Sequence, residues 1–306
     1  MKILLTGSTG MVGTNILENK SASLYELLTP NSKELNLLNY SEVDNYISKY
    51  KPDFIIHAAG KVGGIQANMA NPINFLVDNA DFGRNIVLAA KNNNVKKLLN
   101  LSSSCMYPRS AINPLSEDLI LKGELEPTNE GYAIAKIFTQ RLVEYISRED
   151  KTCNYKTIIP CNLYGKWDKF DPLHSHMLPA VIRKIHKAKI NNSPNVELWG
   201  DGEARREFMF ASDFADFIWY SIPNFEQMPN LMNVGLGHDF SINQYYKTIA
   251  NVIGYNGGFV HDLSKPTGMR QKLVNIDKLN QFGWKHTNSL ENGIKITYKF
   301  FLEHYT

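Results

Sequence analysis

Residues 2–13 read Lys2-Ile3-Leu4-Leu5-Thr6-Gly7-Ser8-Thr9-Gly10-Met11-Val12-Gly13. The run up to Thr6 predicts a short buried strand, and the three glycines predict a turn that leads directly into an amphipathic helix ending near Lys20. In a strand–turn–helix unit of this kind, the first glycine makes the turn, the second lets a pyrophosphate approach the backbone, and the third allows close helix packing. The stretch therefore predicts a dinucleotide site, and a plain glycine turn is the alternative.

The rest of the first half alternates strands with helices. Buried apolar strands are predicted over 25–29, 53–59, 97–101 and 156–160, and helices over 41–49 and 72–92. Continuous apolar strands separated by helices are typical of parallel sheets that are covered on both faces. The predicted fold class is therefore α/β, with a doubly wound parallel sheet that binds its ligand at the carboxyl ends of the strands.

The tip of the second strand bears on the choice of dinucleotide. Residues 30–33 contain no Asp or Glu that would bind a ribose 2′-hydroxyl and repel a 2′-phosphate. Because Lys33 lies at this tip, the sequence favours NADP over NAD.

A tyrosine and a lysine predict the chemistry. Tyr132 and Lys136 are four residues apart on a predicted helix and share one face. If that face lines a cleft, we expect the ammonium to lower the pKa of the phenol towards the working pH, so that the tyrosine exchanges a proton with a carbonyl or alcohol. A serine of the 102–104 run, at the end of the fourth strand, would hold the same oxygen. Such a Tyr–Lys pair occurs by chance about once in a chain like this, but its place after that strand indicates a nicotinamide-dependent reductase.

Composition and charge exclude several classes of protein. The 306 residues suffice for one large domain or a large and a small one, and a net charge of +3 with scattered lysines does not indicate nucleic-acid binding. No apolar stretch approaches ~18 residues, and the amino-terminal segment lacks the features of a signal peptide. Cys105, Cys153 and Cys161 have no metal-ligand spacing, which fits a reducing compartment. We expect a cytoplasmic protein with neither a nucleic-acid nor a membrane partner.

The second half of the sequence differs in composition, because aromatic and basic residues are concentrated in short predicted elements. We predict a dinucleotide-binding domain over 1–165 and, over 166–306, mainly a smaller substrate-binding lobe interleaved with the last strands of the sheet. Arg205 and Arg206 could clamp a diphosphate, with a solvated surface pair as the alternative. His174 and His176 lack a further ligand at a supporting spacing, so no metal is predicted.

The chain resembles the GDP-L-fucose synthase family of extended short-chain dehydrogenase/reductases over nearly its whole length. The most specific segments are Lys61-Val62-Gly63-Gly64-Ile65 and Glu126-Pro127-Thr128-Asn129-Glu130, beside Ser103-Ser104-Cys105-Met106-Tyr107-Pro108, Ser175-His176 and Arg206-Glu207-Phe208. The resemblance implies a Rossmann-type doubly wound sheet with an interleaved C-terminal lobe. It also implies a homodimeric enzyme that epimerises carbons 3 and 5 of a GDP-linked 4-keto sugar and reduces its carbon-4 keto group with NADPH.

The resemblance implies roles for individual residues. Ser103 and Tyr132 would bind and protonate the carbon-4 oxygen, and Lys136 would hold the nicotinamide ribose. Cys105 and His176 would be the acid/base pair of the epimerisation. The implied NADP-binding residues are Gly7, Thr9, Gly10, Met11, Val12, Gly13, Ser32, Lys33, Asn36, Leu37, Ala58, Ala59, Leu101, Ser102, Lys136, Pro160, Asn162, Leu163 and His176. The implied substrate-binding residues are Ser103, Ser104, Asn162, Lys184, Trp199, Arg206 and Lys272.

The sequence departs from the family pattern at several positions. Thr9 and Ser32 stand where members that prefer NADP often have arginines, and Gly131 stands where a proline is common. Residues 267–271 differ from the usual acid- and arginine-bearing loop. These changes leave open a GDP-4-keto-heptose as the substrate, and an enzyme that only reduces after a separate epimerase.

Two further alternatives remain open. A nucleotide-sugar 4-epimerase or 4,6-dehydratase would share the fold, but Cys105 and Met106 replace the acidic pair that is typical of dehydratases. A non-catalytic dinucleotide sensor is disfavoured because such proteins typically lack the tyrosine and lysine.

Overall fold

A parallel six-stranded sheet with helices on both faces forms the centre of the computed structural model, which describes residues 1–171, 175–265 and 268–306. In chain order, the strands and helices are β1 (Lys2–Thr6), α1 (Met11–Glu18), β2 (Glu26–Leu28), α2 (Tyr40–Tyr50), β3 (Phe54–His57), α3 (Ile65–Ala70), α4 (Pro72–Asn92), β4 (Lys97–Leu101), α5 (Glu130–Glu149), β5 (Asn154–Pro160), β6 (Asn162–Tyr164), α6 (Met177–Ile190), β7 (Asn195–Trp199), β8 (Arg205–Arg206), β9 (Phe208–Phe210), α7 (Ala211–Ser221), β10 (Leu231–Val234), β11 (Phe240–Ser241), α8 (Ile242–Ile253), β12 (Gly258–Asp262), β13 (Gln271–Lys272), α9 (Asp277–Phe282) and α10 (Leu290–Tyr305). Short 3₁₀ helices lie at Lys20–Leu24, Ser104–Met106, Glu117–Leu119 and Pro127–Asn129.

The strand order of the sheet is β10-β5-β4-β3-β1-β2, and all neighbouring strands are parallel. The direction of winding changes between β1 and β3, so the carboxyl ends of these two strands open the crevice in which such sheets bind ligands. The predicted doubly wound parallel sheet is confirmed. The first helix ends at Glu18 rather than near Lys20, because Asn19 is extended and its side chain accepts a hydrogen bond from the Ser21 amide (2.9 Å) to start a 3₁₀ turn.

Neighbouring residues of the central strands enter two different cores. Ile3 and Leu5 of β1 belong to one hydrophobic cluster, whereas Leu4 between them belongs to another. In β3, Phe54 and Ile56 enter the first cluster and Ile55 enters the second. Because successive side chains of a strand point to opposite faces, a strand covered by helices on both sides must be apolar throughout. This explains the continuous apolar runs from which the parallel sheet was predicted.

The glycine turn after β1 leaves no room for side chains at two of its three glycines. Gly7 has a φ of +72°, and a Cβ there would lie 2.7 Å from the Ala59 backbone. A Cβ on Gly13 would lie 2.2 Å from the Gly7 carbonyl oxygen. Gly7 therefore permits the turn to approach the end of β3, and Gly13 permits α1 to approach the turn.

A second core lies outside the sheet, between α6, α8, α10 and the two-stranded parallel sheet of β7 and β12. Small sheets on this side pair β8 with β11 and β13, and β6 with β9. The chain returns from this lobe to the main sheet through β10, which pairs with β5. The predicted interleaving is thus confirmed. Within the described ranges, no helix is long and apolar enough to cross a membrane.

Helices α4 and α5 pack unusually closely because glycines lie at their contact. A Cβ on Gly83 would lie 1.9 Å from the Thr139 hydroxyl, and one on Gly131 would lie 3.0 Å from the Pro72 carbonyl oxygen. The replacement of the family's proline at 131 by glycine therefore coincides with a point where α5 touches the start of α4.

The Gly83 contact makes a prediction about stability. We expect Gly83→Ala to lower the free energy of unfolding by about 1–3 kcal/mol, because the added methyl group must displace Thr139 or separate the two helices. Urea denaturation measures this change. Lys247→Ala, at an exposed position of α8, is the control and should change the free energy by less than about 0.5 kcal/mol. Equal stabilities of the two variants would contradict the packing argument.

Candidate active site

The reductase residues predicted from the sequence lie at the carboxyl end of β4. Ser103 follows β4, and its hydroxyl accepts a hydrogen bond from the Cys105 amide (3.2 Å). A further hydrogen bond joins the side chains of Ser103 and Tyr132. Helix α5 carries Tyr132 one turn before Lys136, so the structure brings the predicted serine, tyrosine and lysine together.

Lys136 is buried, and its ammonium group donates to the Leu101 carbonyl oxygen (3.0 Å). The ammonium lies 5.7 Å from the centre of the Tyr132 ring and 3.6 Å from the position that a Cβ on Gly60 would take. Burial lowers the pKa of Lys136 to about 8, and negative charge on Cys105 opposes this shift. The lysine therefore stands between the ends of β3 and β4, with a charge that is lost in mildly alkaline solution.

The pKa of Tyr132 shifts in the opposite direction to the one expected from the sequence. Burial raises the pKa of Tyr132, negative charge on Cys105 raises it further, and only the hydrogen bond with Ser103 lowers it. The prediction that the pKa of Tyr132 is lowered is wrong for this structure, because burial is the largest influence on it and acts in the opposite direction. Tyr132 is thus a phenol at neutral pH and can donate its proton.

The Cys105 sulfur accepts two hydrogen bonds from elements that are distant in sequence. The Asn129 side-chain amide donates to it from the 3₁₀ turn before α5 (3.2 Å), and the Lys272 ammonium donates from β13 (3.5 Å). Negative charge on this sulfur raises the pKa of both Tyr132 and Lys136. The cysteine consequently belongs to the same cluster as the reductase residues.

His176 precedes the first residue of α6 and is half-buried. Burial lowers the pKa of His176, and the positive charge of Lys169 lowers it further, so the imidazole is neutral at pH 7.

The loop over residues 60–64 lies between the segment that carries His176 and Tyr132. A Cβ on Gly64 would lie 3.4 Å from the Ser175 carbonyl oxygen, and Gly63 lies against the Phe75 ring, which contacts Tyr132 edge-on at 6.5 Å.

The glycine turn is open on the side that faces the crevice. Thr9 and Gly10 are exposed, and no side chain caps the first turn of α1. A Cβ on Gly10 would meet nothing closer than the Gly7 carbonyl oxygen at 3.5 Å, so the protein itself does not require a glycine there. The free amide groups and the open surface over Gly10 fit a bound pyrophosphate.

The other predicted cofactor residues differ in exposure. Ser32, Lys33 and Asn36 are exposed beyond β2, and the Ser8 hydroxyl ties the glycine turn to the end of that strand through the Thr29 carbonyl (3.2 Å). Met11, Val12, Ala58, Ala59, Asn162 and Leu163 are half-buried, whereas Leu37, Leu101, Ser102 and Pro160 are buried.

Most of the predicted substrate residues form two groups. In the first, Arg206 of β8 is paired in register with Lys272 of β13, and burial lowers the pKa of Arg206. Ser104, beside Cys105, is buried in this region. Arg205 instead binds the buried carboxylate of Asp239 (2.7 Å), so the two tandem arginines have different roles.

The second group surrounds the exposed indole of Trp199. The ammonium of Lys184 lies 5.8 Å from the indole ring centre, and that of Lys265 lies 5.7 Å from it. Lys184 also donates to the Glu197 carbonyl oxygen (3.1 Å). An aromatic face flanked by two cations suits a planar base next to phosphate groups.

Glu207 joins several segments of the site. It is fully buried, and its carboxylate accepts hydrogen bonds from the amides of Leu236, Gly237 (2.9 Å) and Val274 (3.0 Å). Its backbone carbonyl accepts a bond from the Asn162 side chain (2.9 Å). Burial raises the pKa of Glu207 to about 7, against the three backbone hydrogen bonds that lower it.

Sequence reasoning missed three residues of this site. Asn129 and Glu207 lay within segments that were recognised as specific, but neither was assigned a role. Lys265 gave no signal, because only the pairing of β12 with β7 brings it next to Trp199. His174 lies outside the described residues, and within those residues no group of three His, Cys, Asp or Glu side chains could hold a metal ion.

Comparison with known proteins identifies the relatives of this chain. Residues 3–235 match the NAD dependent epimerase/dehydratase family. The GDP-L-colitose synthase of Yersinia pseudotuberculosis is 58% identical over 99% of this chain and 98% of its own length. The GDP-L-fucose synthase of Azorhizobium caulinodans is 50% identical over 98% of this chain and 96% of its own length.

Two solved structures from Campylobacter jejuni share the fold over nearly their whole length. A GDP-6-OMe-4-keto-L-xylo-heptose reductase has a TM-score of 0.91 at 30% identity, covering 99% of this chain and 97% of that one. A GDP-mannoheptose C4 reductase with NADP bound has a TM-score of 0.89 at 31% identity, covering 98% of both chains. Together with the cluster at the end of β4, these likenesses establish that the chain belongs to the NAD dependent epimerase/dehydratase family, in the branch of the GDP-L-fucose and GDP-L-colitose synthases.

Proposed function

We propose that this protein uses NADPH to reduce the carbon-4 keto group of a GDP-linked 4-keto sugar, and that it also epimerises the sugar at carbons next to the ketone. The observation that carries this proposal is the single cluster at the end of β4, in which Ser103, Tyr132 and Lys136 lie beside the Cys105 thiol. A reductase alone needs the first three residues, whereas the thiol adds a group that can exchange a proton with carbon.

The glycine turn and its surroundings are the proposed NADPH site. The amides at the start of α1 would hold the pyrophosphate, Ser32 and Lys33 would lie at the 2′-phosphate, and Lys136 would hold the nicotinamide ribose. When bound, the dinucleotide supplies a hydride. The relative with NADP bound supports this choice of dinucleotide.

Tyr132 is the proposed proton donor to the carbon-4 oxygen. Its raised pKa keeps the phenol protonated at neutral pH, and Ser103, which is hydrogen-bonded to Tyr132, would bind the same oxygen. The ketone also acidifies the hydrogens of both adjacent carbons. Cys105 and His176 are the proposed acid/base pair that removes and returns these protons on opposite faces of the sugar, with the imidazole neutral at pH 7.

We place the substrate mainly in the lobe formed by residues 166–306. Arg206 and Lys272 would bind the diphosphate and the sugar near Cys105, and the guanine would contact Trp199 between Lys184 and Lys265. The three cysteines are free, which supports a place of action in the cytoplasm.

The relatives suggest three classes of sugar as the substrate: 6-deoxyhexoses, 3,6-dideoxyhexoses and heptoses. Colitose is a 3,6-dideoxyhexose, and a sugar without a hydroxyl at carbon 3 has no stereocentre there, so only carbon 5 would be inverted. Two solved relatives are heptose reductases, which keeps reduction after a separate epimerase as the second candidate function.

Product analysis tests the proposed function directly. We expect the protein to oxidise NADPH with at least one member of a panel of GDP-4-keto sugars: 6-deoxyhexoses, 3,6-dideoxyhexoses and heptoses. Tyr132→Phe should lower kcat by about 100-fold or more, because it removes the proton donor. Absence of NADPH oxidation with every member of the panel would refute the proposal.

Deuterium uptake from heavy water tests epimerisation separately. The wild-type product should carry deuterium at carbon 5, and also at carbon 3 where that carbon is a stereocentre. We expect Cys105→Ser to reduce this uptake by about 100-fold, while the reduction of an already epimerised substrate survives. Loss of both activities together would show that Cys105 is structural, and no uptake by the wild type would favour the reductase-only alternative.

The lowered pKa of Lys136 predicts a pH dependence of cofactor affinity. Below pH 8 the ammonium is charged, and above it the charge is lost, so NADPH affinity should fall as the pH rises through about 8. Fluorescence titration with NADPH at a series of pH values measures this. Lys136→Met should bind NADPH weakly and without that step, and a step that persists in this variant would assign it to another group.

An apolar stripe on α4 and α5 supports the proposed homodimer. Ile73 and Val77 of α4 are 73% and 47% exposed, and Ile134, Phe138 and Tyr145 of α5 are 43%, 43% and 44% exposed. These exposed apolar side chains lie on two helices that pack against each other, and we propose that a second copy of the chain covers them.

Light scattering after gel filtration tests this arrangement. We expect the wild type to be a dimer and Phe138→Glu to be a monomer, since a buried unpaired carboxylate disfavours association. Leu24→Glu, at an apolar residue that is 74% exposed elsewhere, should leave the dimer intact. A wild-type monomer, or a dimer that Phe138→Glu does not weaken, would contradict this interface.

A further inference from the structure

The groups around the Cys105 sulfur are hydrogen-bond donors. Both hydrogen-bond partners of this sulfur within the described residues, the Asn129 amide nitrogen at 3.2 Å and the Lys272 ammonium at 3.5 Å, are donors. Two donors match a deprotonated sulfur, which can only accept. A protonated thiol at the same place would instead need an acceptor for its own hydrogen.

An acceptor of that kind lies on the same amide. The Asn129 side-chain oxygen is buried and has no hydrogen-bond partner within the described residues. A buried amide oxygen without a partner is unfavourable, and such groups call for an explanation. The amide nitrogen of Asn129 already contacts the sulfur. A rotation of 180° about the Cβ–Cγ bond of Asn129 would therefore bring the amide oxygen to the thiol.

The backbone that carries Asn129 is held independently of this amide. The Asn129 N–H donates to the Glu126 carbonyl (3.1 Å), and the Glu126 carboxylate accepts from the Thr128 hydroxyl (3.1 Å). Rotation of the amide about its last bond therefore requires no change in the turn, and this torsion has two broad minima.

We propose that Asn129 is a positioning residue that serves Cys105 in both of its protonation states. The amide nitrogen donates to the deprotonated sulfur, and after a half-turn the amide oxygen accepts the S–H hydrogen. This inference rests on the proposed epimerisation. There a C–H bond of the substrate breaks, its electron pair remains on the carbon next to the ketone, and the proton forms the S–H bond.

Alkylation of the thiol tests the inference without any substrate. Cys105 is half-buried, whereas Cys153 and Cys161 are only 3% and 5% exposed, so iodoacetamide should label Cys105 selectively. Asn129→Asp keeps the shape but cannot donate, and its charge opposes a negative sulfur. We expect its alkylation rate at neutral pH to be about 10- to 100-fold lower than that of the wild type. Thr128→Ala, which alters the same turn but keeps the amide, should react at the wild-type rate.

Deuterium uptake gives the second readout. Asn129→Asp should reduce uptake about 10- to 100-fold, a larger loss than it causes in the reduction of an already epimerised substrate. In a Cys105→Ser background it should cause no further loss, because Asn129 acts through the sulfur.

The outcomes separate this inference from the function on which it rests. If Asn129→Asp is alkylated as fast as the wild type, or if its effect on uptake persists without Cys105, the assignment of Asn129 is wrong. An equal loss in Thr128→Ala would show that the turn, rather than the amide, matters. If Asn129→Asp is alkylated more slowly than the wild type, as expected, but the wild type takes up no deuterium, the proposed epimerisation is refuted and the assignment of Asn129 stands.

Discussion

The close approach of Gly7 to Ala59 is the constraint on which the site depends. With a Cβ position 2.7 Å from the neighbouring backbone, the turn after β1 rests directly on the end of β3. The next residue of that segment, Gly60, lies beside the Lys136 ammonium, which is bonded to the end of β4. One continuous set of contacts thus runs across the carboxyl ends of three parallel strands, from the glycine turn to Lys136.

The parts of this arrangement that depend on local sequence were predictable. A strand covered on both faces must be apolar throughout, and a turn that touches a neighbouring strand must be glycine, so β1, β3, β4 and the glycine turn could be identified from their residues. Tyr132 and Lys136 share a helix face wherever that helix lies. The positions of Ser103 and Cys105 then followed from the end of β4.

The parts that depend on long-range contacts were not predictable in the same way. The pKa of Tyr132 is raised mainly by burial and further by negative charge on Cys105, which outweigh the hydrogen bond with Ser103. Asn129 reaches the sulfur across 24 residues and Lys272 across 167. Periodicity and motifs in the sequence do not predict contacts between residues so far apart in the chain. For Asn129, the only indication was that it lies in a segment specific to the family.

The buried carboxylate of Glu207 joins two segments of this fold that are distant in sequence. It binds the amides of Leu236 and Gly237 at one end of a long excursion of the chain and that of Val274 at the other. Both ends of the excursion are therefore fastened to one side chain, next to Arg206 and close to Lys272. Loops within the excursion can change in length and sequence without moving the residues that contact Cys105. This provides a physical route by which one catalytic cluster can be adapted to hexoses or heptoses in different branches of the family.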